Sequence, residues 1–191
     1  LTPQQVAASI REVGIGFLYA INHHPAMRFA IGPRREIGQR TIFNVLGPLT
    51  NPAGATHQLI GVYDPDLTEP IARVLNTLGS KAALVVHGSD GLDELSTTGV
   101  NRVSQVQNGE VTTFTLDPAE LGLRRASLED MTGGSPEQNA QIMLDILSGK
   151  DSGPRRDIVL LNSAAVLTLD GGSWQESLEA VRDSIDGGAA L

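Results

Sequence analysis

Three consecutive segments set the strongest limit on what this chain can fold into: residues 58–63, 67–78 and 82–87. The last reads Ala-Ala-Leu-Val-Val-His, a short unbroken apolar run of the kind found in strands buried on both faces. The first reads as another strand. The middle one reads as a helix capped by Asp66 and closed by Gly79. A strand, a helix and a strand at this spacing make a βαβ unit, whose strands are parallel. Farther on, Asn108-Gly109 lies between residues 102–106 and 111–116, the strongest short-range hairpin signal. An antiparallel ribbon is therefore expected on the same sheet.

Helices account for much of the rest. Thr2-Pro3-Gln4-Gln5 and Ser173-Trp174-Gln175-Glu176 are capping-box patterns, and Ser135-Pro136-Glu137-Gln138 starts a helix running to about residue 148. Residues 157–169 read as an apolar helix buried by its pattern. Residues 14–20, Gly-Ile-Gly-Phe-Leu-Tyr-Ala, read as a buried strand. Residues 25–46 read as one or two short helices broken at Gly32-Pro33 and Gly38. Asp117-Pro118 opens a helical turn. No internal repeat or low-complexity tract is visible.

The net charge of −8 and pI near 4.9 argue against a general nucleic-acid binder. With no cysteine, there can be no disulfide and no thiolate metal site. No apolar run is long enough for a membrane span, and no signal peptide is visible.

Two places carry chemistry. Residues 22–53 hold His23, His24 and four arginines (Arg28, Arg34, Arg35, Arg40) among Gly-Pro and Asn-Pro turns. That mixture suits an anion site, because guanidinium forks match carboxylate and phosphate. The plainer alternatives are exposed helix charges and, for His24, a side chain satisfied at a helix start. Asp93 and Glu94 follow the 82–87 strand in a loop. Ligands of open α/β sheets bind beyond the carboxyl ends of strands, and adjacent hard carboxylates suit Mg²⁺; a solvated acidic loop is the alternative. Asn139 and Asn162 read as capping or packing residues, and His57 and His87 as structural. Ser89, Ser96 and Thr97 lack a nucleophile elbow and a base placed by the sequence.

Residues 23–53 resemble the HHPAM…R…RTIFNxLGPLTNPA segment of the anthranilate phosphoribosyltransferase family. The resemblance continues through Gly91-Leu92-Asp93-Glu94-Leu95-Ser96, Gly133-Gly134, Asn139-Ala140 and Asn162-Ser163-Ala164-Ala165. It implies a tryptophan-biosynthesis enzyme that moves the phosphoribosyl group of 5-phosphoribosyl 1-diphosphate onto anthranilate. It also implies Asp93 and Glu94 as Mg²⁺ ligands, Arg34 on the anthranilate carboxylate, His24 beside the ring, and Gly47 and Pro48 lining the substrate tunnel. No side chain is expected to act as principal base. The implied fold is α/β: a central mixed, mainly parallel sheet flanked by helices, with part of a small helical lobe. Residues 1–21 would supply the first helix and strand of the α/β lobe, 22–48 part of the helical lobe, and 49–191 the rest, with a hairpin near 101–116 and a helical C-terminal third. A homodimer, a cytoplasmic location and an anthranilate synthase partner are further implications.

The family's Gly-Thr-Gly-Gly-Asp phosphate loop, Asn-x-Ser-Thr stretch and Lys-His-Gly-Asn segment are absent from these 191 residues. So are the family's N-terminal helices. The expectation is a fragment that does not turn over alone. Two other readings share the architecture. A pyrimidine-nucleoside phosphorylase relative would recognise a base and phosphate and would not need the HPAM…Arg34 block, residues 24–34. A non-enzymatic nucleic-acid-binding relative would want a basic face and no acidic pair.

Overall fold

The computed structural model describes residues 1–23, 29, 32, 36, 38, 39 and 43–191. It divides into two compact units, Leu1–Gly54 and Ala55–Leu191.

In the first unit, α1 (Pro3–Val13) starts with the expected capping box: Thr2 accepts from the Gln5 N–H while the Gln5 side chain accepts from the Thr2 N–H. Gly14 ends it in the left-handed conformation, φ 90°. The strand expected over 14–20 does not form. Residues 15–19 run without regular structure, and α2 (Ala20–His23) begins at the last residue of the run. An apolar run becomes a strand only with a partner to satisfy its backbone, and no strand pairs with it among the described residues. The segment instead folds back on α1. Ser9 Oγ donates to the Ile15 carbonyl at 2.6 Å, and a β-carbon on Gly16 would lie 2.6 Å from Ile10. Phe17 and Tyr19 stack in the open with ring centres 6.4 Å apart. The first unit closes with α3 (Phe43–Leu49).

The second unit contains the βαβ element. Strand β1 (His57–Gly61) pairs in parallel with β2 (Ala82–His87), and α4 (Thr68–Thr77) crosses between them. The cap differs from expectation. Asp64, not Asp66, accepts the Asp66 N–H at 3.0 Å and opens a 3₁₀ turn at Pro65–Leu67 that leads into α4. Gly79 closes the helix as expected, φ 88°.

Strand β3 (Asn101–Gln107) runs antiparallel to β2, and β4 (Glu110–Leu116) antiparallel to β3. Between them Asn108 and Gly109 both take positive φ, 53° and 81°, as a two-residue hairpin turn requires. The sheet order is β1-β2-β3-β4. It is mixed, as expected, but not mainly parallel: among the described residues one pairing is parallel and two are antiparallel.

Every residue of β2 is buried. Alternation sends Ala82, Leu84 and Val86 to one face, against Leu160, Leu161, Ala164 and Leu178. Those residues belong to α6 (Pro154–Thr168) and α7 (Trp174–Asp186). Ala83 and Val85 are left for the opposite face, on the side of α4 with its buried Ile71, Ala72 and Leu75. Before α6 comes α5 (Pro136–Leu147), with its Ser135–Gln138 capping box. Helix α6 is not buried throughout: Val166 and Leu167 remain 47% and 41% exposed. An apolar sequence shows which residues favour burial, not how much surface the neighbouring elements can cover.

Candidate functional site

Strand β2 ends at His87, which is buried and uses Nδ1 on the Val62 carbonyl at 2.8 Å. Its structural role matches the sequence reading. The chain then enters a loop with no ladder to satisfy its backbone, and side chains supply the missing partners. The Gly88 N–H donates to the Leu92 carbonyl, closing the first bend. Asp90 gathers the rest of that bend: Oδ1 accepts from the Leu92 N–H at 3.1 Å, while Oδ2 accepts from the Ser96 and Thr98 hydroxyls. Desolvation acts to raise the Asp90 pKa. The hydrogen bonds from Ser96, Thr98 and Leu92 outweigh it, so the net shift is downward.

Two asparagines hold the far side. Leu95 is fully buried, and the Asn162 carboxamide on α6 satisfies both its main-chain groups. Oδ1 accepts from the Leu95 N–H at 3.1 Å and Nδ2 donates to the Leu95 carbonyl at 2.8 Å. A further donation to the Ile158 carbonyl at 3.0 Å fixes the orientation of that amide. Asn101, at the start of β3, does the same for Ser96, accepting at 2.7 Å and donating at 2.9 Å. Pinned on both sides, the loop leaves Asp93 and Glu94 exposed at its outer bend.

This pair suits a hard divalent cation. The Glu94 pKa is raised, first by desolvation and then by the charge of Asp93. A cation would relieve that repulsion. No group of three or more His, Asp or Glu gathers anywhere among the described residues. Two carboxylates alone would leave most positions around a Mg²⁺ ion to other oxygens.

Gly47 and Pro48 stand at a helix end. Both lie within α3. Proline lacks the N–H that would continue the ladder, and the helix ends one residue later. Thr50 then caps the end, its hydroxyl donating to the Leu46 carbonyl at 2.9 Å. His24 and Arg34, with Arg28, Arg35 and Arg40, lie outside the described residues. The sequence reading missed Asp90, Asn101 and Asn162 as organisers of the acidic loop. One signal was available: Asn162 is a lone amide in the middle of an apolar helix, where burial demands partners. Asn139, read as a capping or packing residue, serves the helix start: it accepts from the Gly134 N–H at 2.7 Å and donates to the Gly134 carbonyl at 3.2 Å.

The described residues thus define an α/β domain: a four-stranded mixed sheet with an acidic loop after β2. Residues 1–191 match the family described as glycosyl transferase family, a/b domain, and the chain belongs to that family. Its similarity is to anthranilate phosphoribosyltransferases. It is 53% identical over 192 residues to the one from Moorella thermoacetica, covering 100% of this chain and 56% of the relative. The crystal structure of anthranilate phosphoribosyltransferase from Thermus thermophilus superposes with a TM-score of 0.91 at 43% identity, covering 99% of this chain and 56% of that one. The Saccharomyces cerevisiae enzyme in complex with PRPP and Mg gives 0.90 at 32% identity, covering 100% and 56%. The chain thus spans about half the length of the relatives it matches. The family resemblance read from the sequence is borne out over the whole chain.

Proposed function

We propose that this chain serves an anthranilate phosphoribosyltransferase, moving the 5-phosphoribosyl group from 5-phosphoribosyl 1-diphosphate to the amine of anthranilate in tryptophan biosynthesis. The observation that carries the reading is similarity along all 191 residues to proteins of that activity. In the reaction the amine nitrogen bonds to the anomeric carbon, the carbon–oxygen bond to diphosphate breaks, and the nitrogen proton passes to solvent. The products are N-(5-phosphoribosyl)anthranilate and diphosphate.

Asp93 and Glu94 would hold Mg²⁺, which when bound offsets the charge of the leaving diphosphate. Hydrogen bonds to Asp90, Asn101 and Asn162 hold the loop around them, which lessens the reorganisation that binding would need. Arg34 pairs with the anthranilate carboxylate in a charge-assisted contact, His24 lies beside the ring, and Gly47 and Pro48 line the acceptor's path. An aromatic amine is a weak nucleophile, so aiming it matters more than removing its proton. We assign residues 22–48 to part of a small helical lobe that carries the anthranilate-site segment. The working enzyme would be a cytoplasmic homodimer with anthranilate synthase as a possible partner.

The test follows the loss of anthranilate fluorescence with 5-phosphoribosyl 1-diphosphate and Mg²⁺. It compares the 191-residue chain with the same chain joined to a relative's segment bearing the Gly-Thr-Gly-Gly-Asp loop. Turnover only in the joined protein is the expected result. Turnover by the 191 residues alone would overturn the incompetence of the separate chain. No turnover in either, with both folded, would overturn the assigned activity. Salt-sensitive DNA retention would then point to the nucleic-acid-binding relative.

A further inference from the structure

We propose that Asn162 is a positioning residue for the Asp93–Glu94 pair, acting through the main chain of Leu95; the inference rests on the cation reading above. The two carboxylates carry no fixed scaffold of their own. They are exposed, in a loop without helix or strand, and their own side chains could place a cation in many ways. Their placement depends on where the backbone leaves the core. That point is Leu95, whose side chain is fully buried. A buried side chain sets the depth of a residue but not the rotation of its peptide planes. Asn162 sets that rotation, because one rigid carboxamide takes both the N–H and the carbonyl of Leu95. The N–H of Leu95 belongs to the peptide that also carries the Glu94 carbonyl. Fixing it therefore fixes the plane from which Glu94 departs.

The amide comes from α6, packed against β2 across the core, so the loop is tied to the most buried part of the sheet. Outer-shell partners of this kind commonly change metal affinity by about 10- to 100-fold when removed.

The experiment titrates Mn²⁺ into the ¹⁵N-labelled chain and follows paramagnetic broadening of the amides, with hydrogen exchange at Leu95 measured in parallel. Wild type is compared with Asn162→Ala and with Asn139→Ala. The second variant removes a similar two-sided asparagine clamp that bonds Gly134 and not Leu95. Expected are broadening centred on Asp93 and Glu94 in wild type and in Asn139→Ala, about tenfold weaker Mn²⁺ binding in Asn162→Ala, and about tenfold faster exchange at Leu95. Should Asn162→Ala fail to fold, Asn162→Asp is read instead. It is isosteric and can still accept from Leu95, but it cannot donate to the Leu95 carbonyl. Localised broadening with unchanged or tighter affinity in the Asn162 variant overturns the positioning role alone. Absence of localised broadening in wild type overturns the cation reading, and the positioning role falls with it.

Discussion

Gly61 and the carbonyl of Asp93 share one small space: a β-carbon on Gly61 would overlap the Asp93 carbonyl oxygen and carbon. The end of β1 therefore forms the floor on which the acidic loop rests. The obstacle is backbone, not a flexible side-chain tip, and cannot swing aside. Gly61→Ala is expected to destabilise the chain by about 1–3 kcal/mol, the usual range for overpacking, and to displace Asp93. Urea unfolding measures the first effect, and broadening of the Asp93 amide by Mn²⁺ the second. Unchanged values for both would show that the loop does not rest on β1.

Asp90 makes the loop sensitive to acid. Its folded pKa is below the ordinary 3.8, so its contribution to stability is present above that value. It is lost as pH falls through the folded pKa. Asp90→Asn removes this dependence. The variant is expected to be less stable than wild type at pH 7, with the gap narrowing below about pH 4. Thermal unfolding from pH 7 to pH 2.5 gives the comparison, and a gap that stays constant through acid would contradict the assignment.

Glu94 behaves in the opposite sense. Its folded pKa is raised, so the folded state binds this proton more tightly than the unfolded chain does. Stability from this group is greatest below the unfolded value near 4.5 and declines as pH rises through the folded one. With chelator present, Glu94→Gln is therefore expected to melt slightly higher than wild type at pH 7, by about 1 °C. The same variant is expected to lose Mn²⁺ binding. A lower melting temperature would show that repulsion within the pair is not a cost to the fold.

Arg34 carries the acceptor prediction. Losing a charge-assisted hydrogen bond costs about 1.5–3 kcal/mol, which is roughly 10- to 100-fold in kcat/KM for anthranilate. In turnover-competent protein, Arg34→Ala is expected to show that loss chiefly through KM for anthranilate. The KM for 5-phosphoribosyl 1-diphosphate should hardly move. An equal effect on both substrates would argue against a contact with the carboxylate.

Features written in short stretches of sequence were legible. The β2 run, the Asn108-Gly109 turn, the capping boxes at Thr2 and Ser173 and the helix start at Ser135 each depend on neighbours within a few positions, and the structure has them all. The misread parts depend on distant partners. Residues 14–20 have a strand-like composition, but no composition supplies a pairing strand. Asp64 and Asp66 flank Pro65, and only the backbone decides which carboxylate turns inward to cap. Asp93 and Glu94 were visible as a pair, whereas what holds them was not, because Asn162 lies 67 positions from Leu95.

That separation bears on the order of events during folding. Closing a long loop is entropically costly and is offset only once distant surfaces meet. Strands β1 to β4 all lie within residues 57–116, whereas Leu95 gains its amide partner only when α6 docks. The acidic bend therefore matures after the sheet beneath it. Pulse-labelled hydrogen exchange should find the Leu95 amide protected no earlier than the amides of α6, and earlier protection would reverse that order. During synthesis, the chain would have its carboxylates long before it has the geometry to use them.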